Sequence, residues 1–176
     1  MLEADPQALV IRSSAFFGPW DEHNFVSQAL SACERGEQFA AAGDLTMSPT
    51  YVPDLVNTCL DLLIDREKGI WHLSNGTAVT WAQLTQLAAE VAGVDSTRLE
   101  EVPAQQLCQL ATRPAHCARG SERGVLMPPL ADALERYAGL RKRGSGISVG
   151  DCSSGNVGGG SINRGSSTGA GDHVRA

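Results

Sequence analysis

The chain runs to 176 residues, 42% hydrophobic and 19% charged, an ordinary globular composition with length for one domain and its core. Its formal net charge of −6 leaves nothing to offset repulsion from phosphates, which argues against a nucleic acid partner. No apolar run approaches the roughly 20 residues that span a bilayer, and Met1 to Pro6 lacks the basic and apolar regions of a signal peptide, so no membrane partner and a cytoplasmic location are expected.

In chain order, Leu2 to Asp5 reads as the last turn of a helix closed by Pro6. Ala8-Leu9-Val10-Ile11 is a short, continuously apolar run, the pattern of a strand buried on both faces of a parallel sheet. It ends in Arg12-Ser13-Ser14, polar residues at a strand's carboxyl end, where open α/β sheets place ligands. Gly18-Pro19 marks a loop. From Glu22 to Arg35, Phe25, Val26, Ala29, Leu30 and Cys33 keep helical spacing, with Gly36 at the expected C-cap. Gln38 to Ala42 reads as a short strand, and Asp44 to Thr50 as a polar loop or edge segment broken by Pro49.

Pro53 suits the first turn of a helix, and Val52, Leu55, Val56, Cys59, Leu60 and Leu63 recur at helical spacing through Ile64. Ile70 to Leu73 reads as a strand, Asn75-Gly76 as a turn, and Thr80 with Gln83 as a capping box opening a helix that Gly93 closes. Leu99 to Val102 reads as a last short strand, followed by irregular chain after Arg113-Pro114 and a final helix carrying Leu130, Leu134 and Tyr137. The composition then changes. Residues 142–176 are dominated by Gly and Ser, cannot bury enough surface to offset their ordering entropy, and are expected to be a disordered tail behind a folded portion at 1–141.

The five cysteines (Cys33, Cys59, Cys108, Cys117 and Cys152) form no C-x-x-C pair and the four histidines are scattered, so no metal site is expected. Cys33 and Cys59 fall on apolar helix faces, where a thiol acts as a small hydrophobe.

Five ordered segments carry a resemblance. Arg12-Ser13-Ser14-Ala15-Phe16-Phe17-Gly18 resembles the R-[ST]-[SG]-W-[VL]-[YF]-G segment of dTDP-4-dehydrorhamnose reductases, and Asn24-Phe25-Val26 their N-F-V helix start. Asp44 to Leu55 resembles D-Q-x-G-S-P-T-Y-x-x-D-L, and Gly69 to Ser74 with Thr80-Trp81 resembles G-I-Y-H-L-S…S-W. Arg113-Pro114 and the closing helix complete the series, which covers nearly all of residues 8 to 140.

The resemblance implies an α/β chain: the carboxy-terminal part of a Rossmann-like extended short-chain reductase, with a few parallel strands and packed helices. It implies hydride transfer from NAD(P)H to the 4-keto group of a nucleotide-linked sugar, with a Y-x-x-x-K tyrosine as proton donor. A glycine-rich turn opening a helix would cradle the dinucleotide. The sequence has neither: its glycine cluster at 158–160 lies in the tail, Tyr51 is followed four residues on by Leu55, and Tyr137 by Arg141. In the family the Y-x-x-x-K helix precedes the strand matching Ala8 to Arg12, so the chain is expected to be the substrate-side portion. No catalytic residue is assigned, and NAD(P)H would bind only if the other half is supplied.

The resemblance places Ser13 and Ser14 beside both nicotinamide and sugar, with strand-end capping as the alternative. Phe16, with Phe17, refills space left where Ala15 replaces the family's tryptophan. Asn24 either meets the substrate diphosphate at a helix N-terminus or simply caps it. Ser48 and Thr50 line the sugar pocket or belong to turn chemistry, and Arg113 pairs with phosphate or stands exposed before proline. Trp81 and His72 are assigned packing roles. Leu45 and Met47 replace the family's glutamine and glycine, which loosens the sugar assignment. The expected partner is a nucleotide-linked sugar, such as a dTDP-linked 4-keto-deoxysugar, with a second copy or another chain as further candidates. Two other readings stand beside this one: a non-catalytic binding or regulatory module, as in a methionine adenosyltransferase regulatory subunit of the same fold, or a truncated product without function.

Overall fold

The structure, a computed structural model, describes residue 3 and residues 5–107, 114–118 and 120–144. Its elements in chain order are β1 (Leu9–Arg12), β2 (Phe16–Phe17), α1 (Phe25–Glu34), β3 (Phe39–Ala42), β4 (Thr46–Met47), β5 (Thr50–Tyr51), α2 (Val52–Ile64), β6 (Gly69–His72), β7 (Val79–Thr80), α3 (Trp81–Ala92), β8 (Leu99–Val102), a 3-10 turn (Ala104–Leu107), β9 (His116–Cys117) and α4 (Leu130–Gly144). The expected tail lies outside the described residues from 145 on, and α4 itself continues to Gly144, past the expected boundary at 141.

Strands pair across long sequence distances. β1 lies parallel to β6, with Leu9 opposite Gly69 and Arg12 opposite His72, and α2 is the crossover helix between them. β2 pairs parallel with β5, and β3 with β8. β4 sits between antiparallel β7 and parallel β9. The fold is thus the α/β class expected, in three parallel pairs and one three-stranded mixed sheet rather than one wide sheet among the described residues.

Local chemistry sets the helix ends. α1 starts at Phe25, three residues later than its periodicity suggests, because Asp21 Oδ1 accepts the His23 N–H and Asn24 Oδ1 accepts the Ser27 N–H. It closes in a Schellman motif: Glu37 N–H donates to Ala32 O and Gly36 N–H to Cys33 O, with Gly36 at φ +66°. α3 opens with the expected capping box, Thr80 and Gln83 exchanging hydrogen bonds at 2.9 and 3.1 Å.

Two cores form. The larger gathers α1, α3 and α4 over β2 and β5 through Phe17, Leu30, Tyr51, Leu84, Leu134 and Tyr137. The smaller joins α2 to one face of the β1–β6 pair through Leu62, Trp71, Leu73 and Met127, with Leu9, Ile11, Leu55 and Cys59 packed around them.

The structure corrects four expectations. β1 is half-buried rather than enclosed on both faces. Leu9 and Ile11 face α2, so by alternation Val10 turns to the opposite face, where its register partner Ile70 is 46% exposed. α2 does not bury its whole apolar stripe. Asp54, Thr58 and Leu62, spaced by four, point inward, which rotates Val56, Leu60, Leu63 and Ile64 to the surface. The Asp44–Thr50 segment, expected as a polar loop or edge segment, instead carries β4 between β7 and β9, with Leu45, Met47, Ser48 and Thr50 buried. The chain between Pro114 and Pro128 is not all irregular either, because His116-Cys117 adds β9 to the edge of β4.

Candidate functional site

β1 and β6 end side by side, and the residue after β1 is Ser13. Its Oγ lies 2.8 Å from the Leu73 carbonyl and 2.9 Å from the Thr50 hydroxyl. A carbonyl can only accept, and one hydroxyl carries one proton. Ser13 therefore donates to Leu73, and Thr50 donates to Ser13. Ser14 Oγ donates to the Ser48 carbonyl at 3.2 Å.

Ala15 then turns the chain in a left-handed conformation at φ +50°. A β-carbon there costs about 1–2 kcal/mol. The turn is held from both sides: the Thr50 N–H donates to the Ala15 carbonyl at 3.0 Å, and the β2–β5 register sets Phe16 opposite Thr50. Such strain gathers where a fold over-determines a segment for function.

Of the residues singled out in the sequence, Ser13, Ser14, Ser48 and Thr50 come together here, with Phe16 alongside. Their accessibility differs. Thr50 is 0% exposed and Ser48 is buried, whereas Ser13 and Ser14 are half-buried and Phe16 is 55% exposed. A ligand approaching these strand ends meets Ser13, Ser14 and Phe16. Ser48 and Thr50 stand behind them.

Asn24 lies elsewhere and is occupied at both ends of its amide. Oδ1 caps α1, while Nδ2 donates to the carbonyls of Gly18 and Asp21. Next to it a cleft of about 520 Å³ is lined by His23, Ser27, Ser31, Tyr137 and Arg141. Arg141 spans from α4 to α1, donating to Ser31 Oγ at 2.8 Å and pairing with Glu34 at 2.8 Å. The Glu34 carboxylate holds the guanidinium above its ordinary pKa. Arg113 lies outside the described residues.

Both tyrosines are packed away. Phe17 sits between them, 5.2 Å from the Tyr51 ring and 5.7 Å, edge-on, from Tyr137. Burial pushes the Tyr51 hydroxyl up in pKa. Trp81 packs edge-on to Phe25 at 4.5 Å. Trp71 faces the smaller core, with the Arg123 guanidinium 4.6 Å from its ring centre. His72, on the other face, sets Nδ1 3.2 Å from the Gly120 carbonyl, beside a cavity of about 50 Å³. Among the described residues no group of three His, Cys, Asp or Glu is placed to hold a metal ion. None of their helices is long and apolar enough to cross a membrane.

Sequence reasoning passed over a buried polar cluster directly behind the site. Asp54 accepts from Arg136 Nη1 and Nη2 at 2.5 and 2.8 Å and from Asn75 Nδ2 at 2.9 Å. Asn75 reads as part of an Asn-Gly turn, and Asp54 falls within the segment Asp44 to Leu55 that carries the resemblance. A further signal is that an aspartate on the inward line of α2 demands a partner.

The RmlD substrate binding domain family matches residues 1–122. A probable low-salt glycan biosynthesis reductase of Haloferax volcanii is 28% identical over 141 residues, covering 75% of this chain and 47% of the relative. The dTDP-4-dehydrorhamnose reductase of Mycolicibacterium smegmatis is 26% identical over 138 residues, 77% of this chain and 42% of that enzyme. Among solved structures, dTDP-4-dehydrorhamnose reductase from Bacillus anthracis in complex with NADP gives a TM-score of 0.68 at 25% identity, over 73% of this chain and 47% of that one. The ortholog from Clostridium acetobutylicum, at 18% identity, shows the same fold with a TM-score of 0.72 over 80% of this chain and 51% of its own. The chain spans about half the length of the curated relatives it matches. With the match running through 122 of 176 residues and the strand ends arranged as described, the chain belongs to the RmlD substrate binding domain family.

Proposed function

We propose that this chain is the nucleotide-sugar-binding portion of an NAD(P)-dependent reductase resembling dTDP-4-dehydrorhamnose reductase, and that it does not catalyse hydride transfer alone. The observation that carries the reading is the Ser13–Ser14 step at the joined carboxyl ends of β1 and β6, the position where α/β sheets receive ligands. Ser13, Ser14 and Phe16 meet the sugar, and Arg113 pairs with the diphosphate.

The described residues do not fit a dinucleotide cradle. α1, α2 and α3 open at Asn24, Tyr51 and Thr80, none on a glycine-rich turn. Both tyrosines are buried in the larger core. The remainder of a complete reductase supplies the cofactor's phosphate site and the proton donor, while Ser13 and Ser14 face the nicotinamide. A cytoplasmic setting, where nucleotide sugars are made, suits this role.

Calorimetric titration with dTDP-glucose, paired with an NAD(P)H oxidation assay on a dTDP-linked 4-keto sugar, tests the proposal. Saturable binding without turnover is expected. Absence of binding removes the substrate-side role, and robust turnover removes the claim that the chain lacks catalytic parts.

A further inference from the structure

We infer that Asn75, held by Asp54 and Arg136, is a positioning residue that sets the geometry of the Ser13–Ser14 site without touching its ligand. Asn75 is 1% exposed and uses every polar group it has. Its N–H donates to the Pro49 carbonyl at 3.1 Å, and its Oδ1 accepts the Tyr51 N–H at 2.7 Å. Its Nδ2 donates to Asp54 and to the Pro128 carbonyl, both at 2.9 Å, and its carbonyl accepts from Thr77.

Two of the backbone groups that Asn75 grips, those of Pro49 and Tyr51, belong to the residues on either side of Thr50. Thr50 in turn donates through its hydroxyl to Ser13 and through its N–H to Ala15. Ser48, one residue before Pro49, receives Ser14. Asn75 therefore holds from behind the strip that orients both serines and fixes the strained turn at Ala15. The clamp is tied to α4, because Arg136 is the second holder of Asp54 and Pro128 precedes that helix. A fully satisfied buried amide fixes one arrangement, and its loss leaves backbone groups unpaired in a dry interior.

The ligand half of this inference rests on the function proposed above; the geometric half does not. Asn75→Asp sets a carboxylate against Asp54, and the exchanged pair Asn75→Asp with Asp54→Asn restores a donor to that contact. Amide hydrogen exchange read residue by residue, together with dTDP-glucose titration, tests both halves. In Asn75→Asp, protection is expected to fall at Thr50 and Tyr51 while α1 and α3 amides keep theirs, and affinity to fall about tenfold or more. The exchanged pair recovers part of both. A uniform loss of protection, or unchanged protection at Thr50 and Tyr51, overturns the positioning role. If the unaltered chain does not bind dTDP-glucose, the proposed function fails, while local exchange still decides whether Asn75 sets the site. Unchanged affinity despite local loss of protection overturns the link between them.

Discussion

Truncating Asp54 to alanine removes the acceptor on which the cluster behind the site converges. The carboxylate is 4% exposed, and it takes two bonds from Arg136 and one from Asn75. Breaking a fully buried pair costs about 3–5 kcal/mol. The Arg136 side chain is 44% exposed, however, so solvent screens its side of the bond and the ionic part falls to about 1 kcal/mol. Asn75 keeps Pro128 for one amide proton but loses the partner of the other, a buried donor left unpaired at about 1–3 kcal/mol. The expected total for Asp54→Ala is about 2–4 kcal/mol, and about half that for isosteric Asp54→Asn. Arg136→Ala should cost a comparable amount, since it leaves a buried carboxylate facing one amide and removes the guanidinium 5.2 Å from the Tyr51 ring centre. Urea denaturation followed by circular dichroism measures each variant, and a double-mutant cycle isolates the pair. Arg35→Ala, which breaks the surface pair with Glu37, serves as the control and should leave the transition in place. If Asp54→Ala behaves like the control, the reasoning that burial makes this cluster energetically central is wrong.

Three further outcomes are expected. Thr50→Val keeps the shape of a fully buried side chain but removes the donor to Ser13, and should cost about 1 kcal/mol in the same urea titration. Leu60→Glu combined with Leu63→Glu, on the exposed apolar side of α2, should reduce self-association in sedimentation velocity without lowering the thermal midpoint; a large drop in midpoint would show that this side is buried. The Cys33 thiol is raised above its ordinary 9.0, chiefly by burial and then by Asp95 and Glu34. Its neutral form is thus favoured in the folded state, so its contribution is intact below the ordinary thiol pKa and is lost as pH rises through the raised one. Melts across the alkaline range should decline less steeply for Cys33→Ala than for the unaltered chain.

Where periodicity, caps and composition agree, the sequence suffices. α1, α3 and α4 come from apolar spacing, with Gly36 closing α1 and the Thr80–Gln83 box and Gly93 bounding α3, signals confined to a few neighbouring residues. Pairings that depend on distant chain are not written locally. Nothing near His116 announces that it adds a parallel strand to Thr46, seventy residues away in chain order. The inward face of α2 shows the same limit from the energetic side. By apolar spacing the helix should bury Val56, Leu60 and Leu63, yet the inward line carries Asp54, whose carboxylate is satisfied by Asn75 and by the half-exposed Arg136. A hydrophobic stripe predicts which face is cheapest to bury only when no satisfied polar anchor competes. For the site itself, Ser13, Ser14, Ser48 and Thr50 were legible as a group through the resemblance, but their division of labour was not. Depth separates them: two stand at the strand ends, and two are sealed behind, where the Thr50 hydroxyl and the Ser48 carbonyl hold the first pair. Asn24 shows the reverse case. Its sequence position suits either an anion or a cap, and the amide is engaged on both sides, Oδ1 in the cap and Nδ2 on the carbonyls of Gly18 and Asp21. A residue's chemistry is available to a ligand only after the backbone around it has been satisfied.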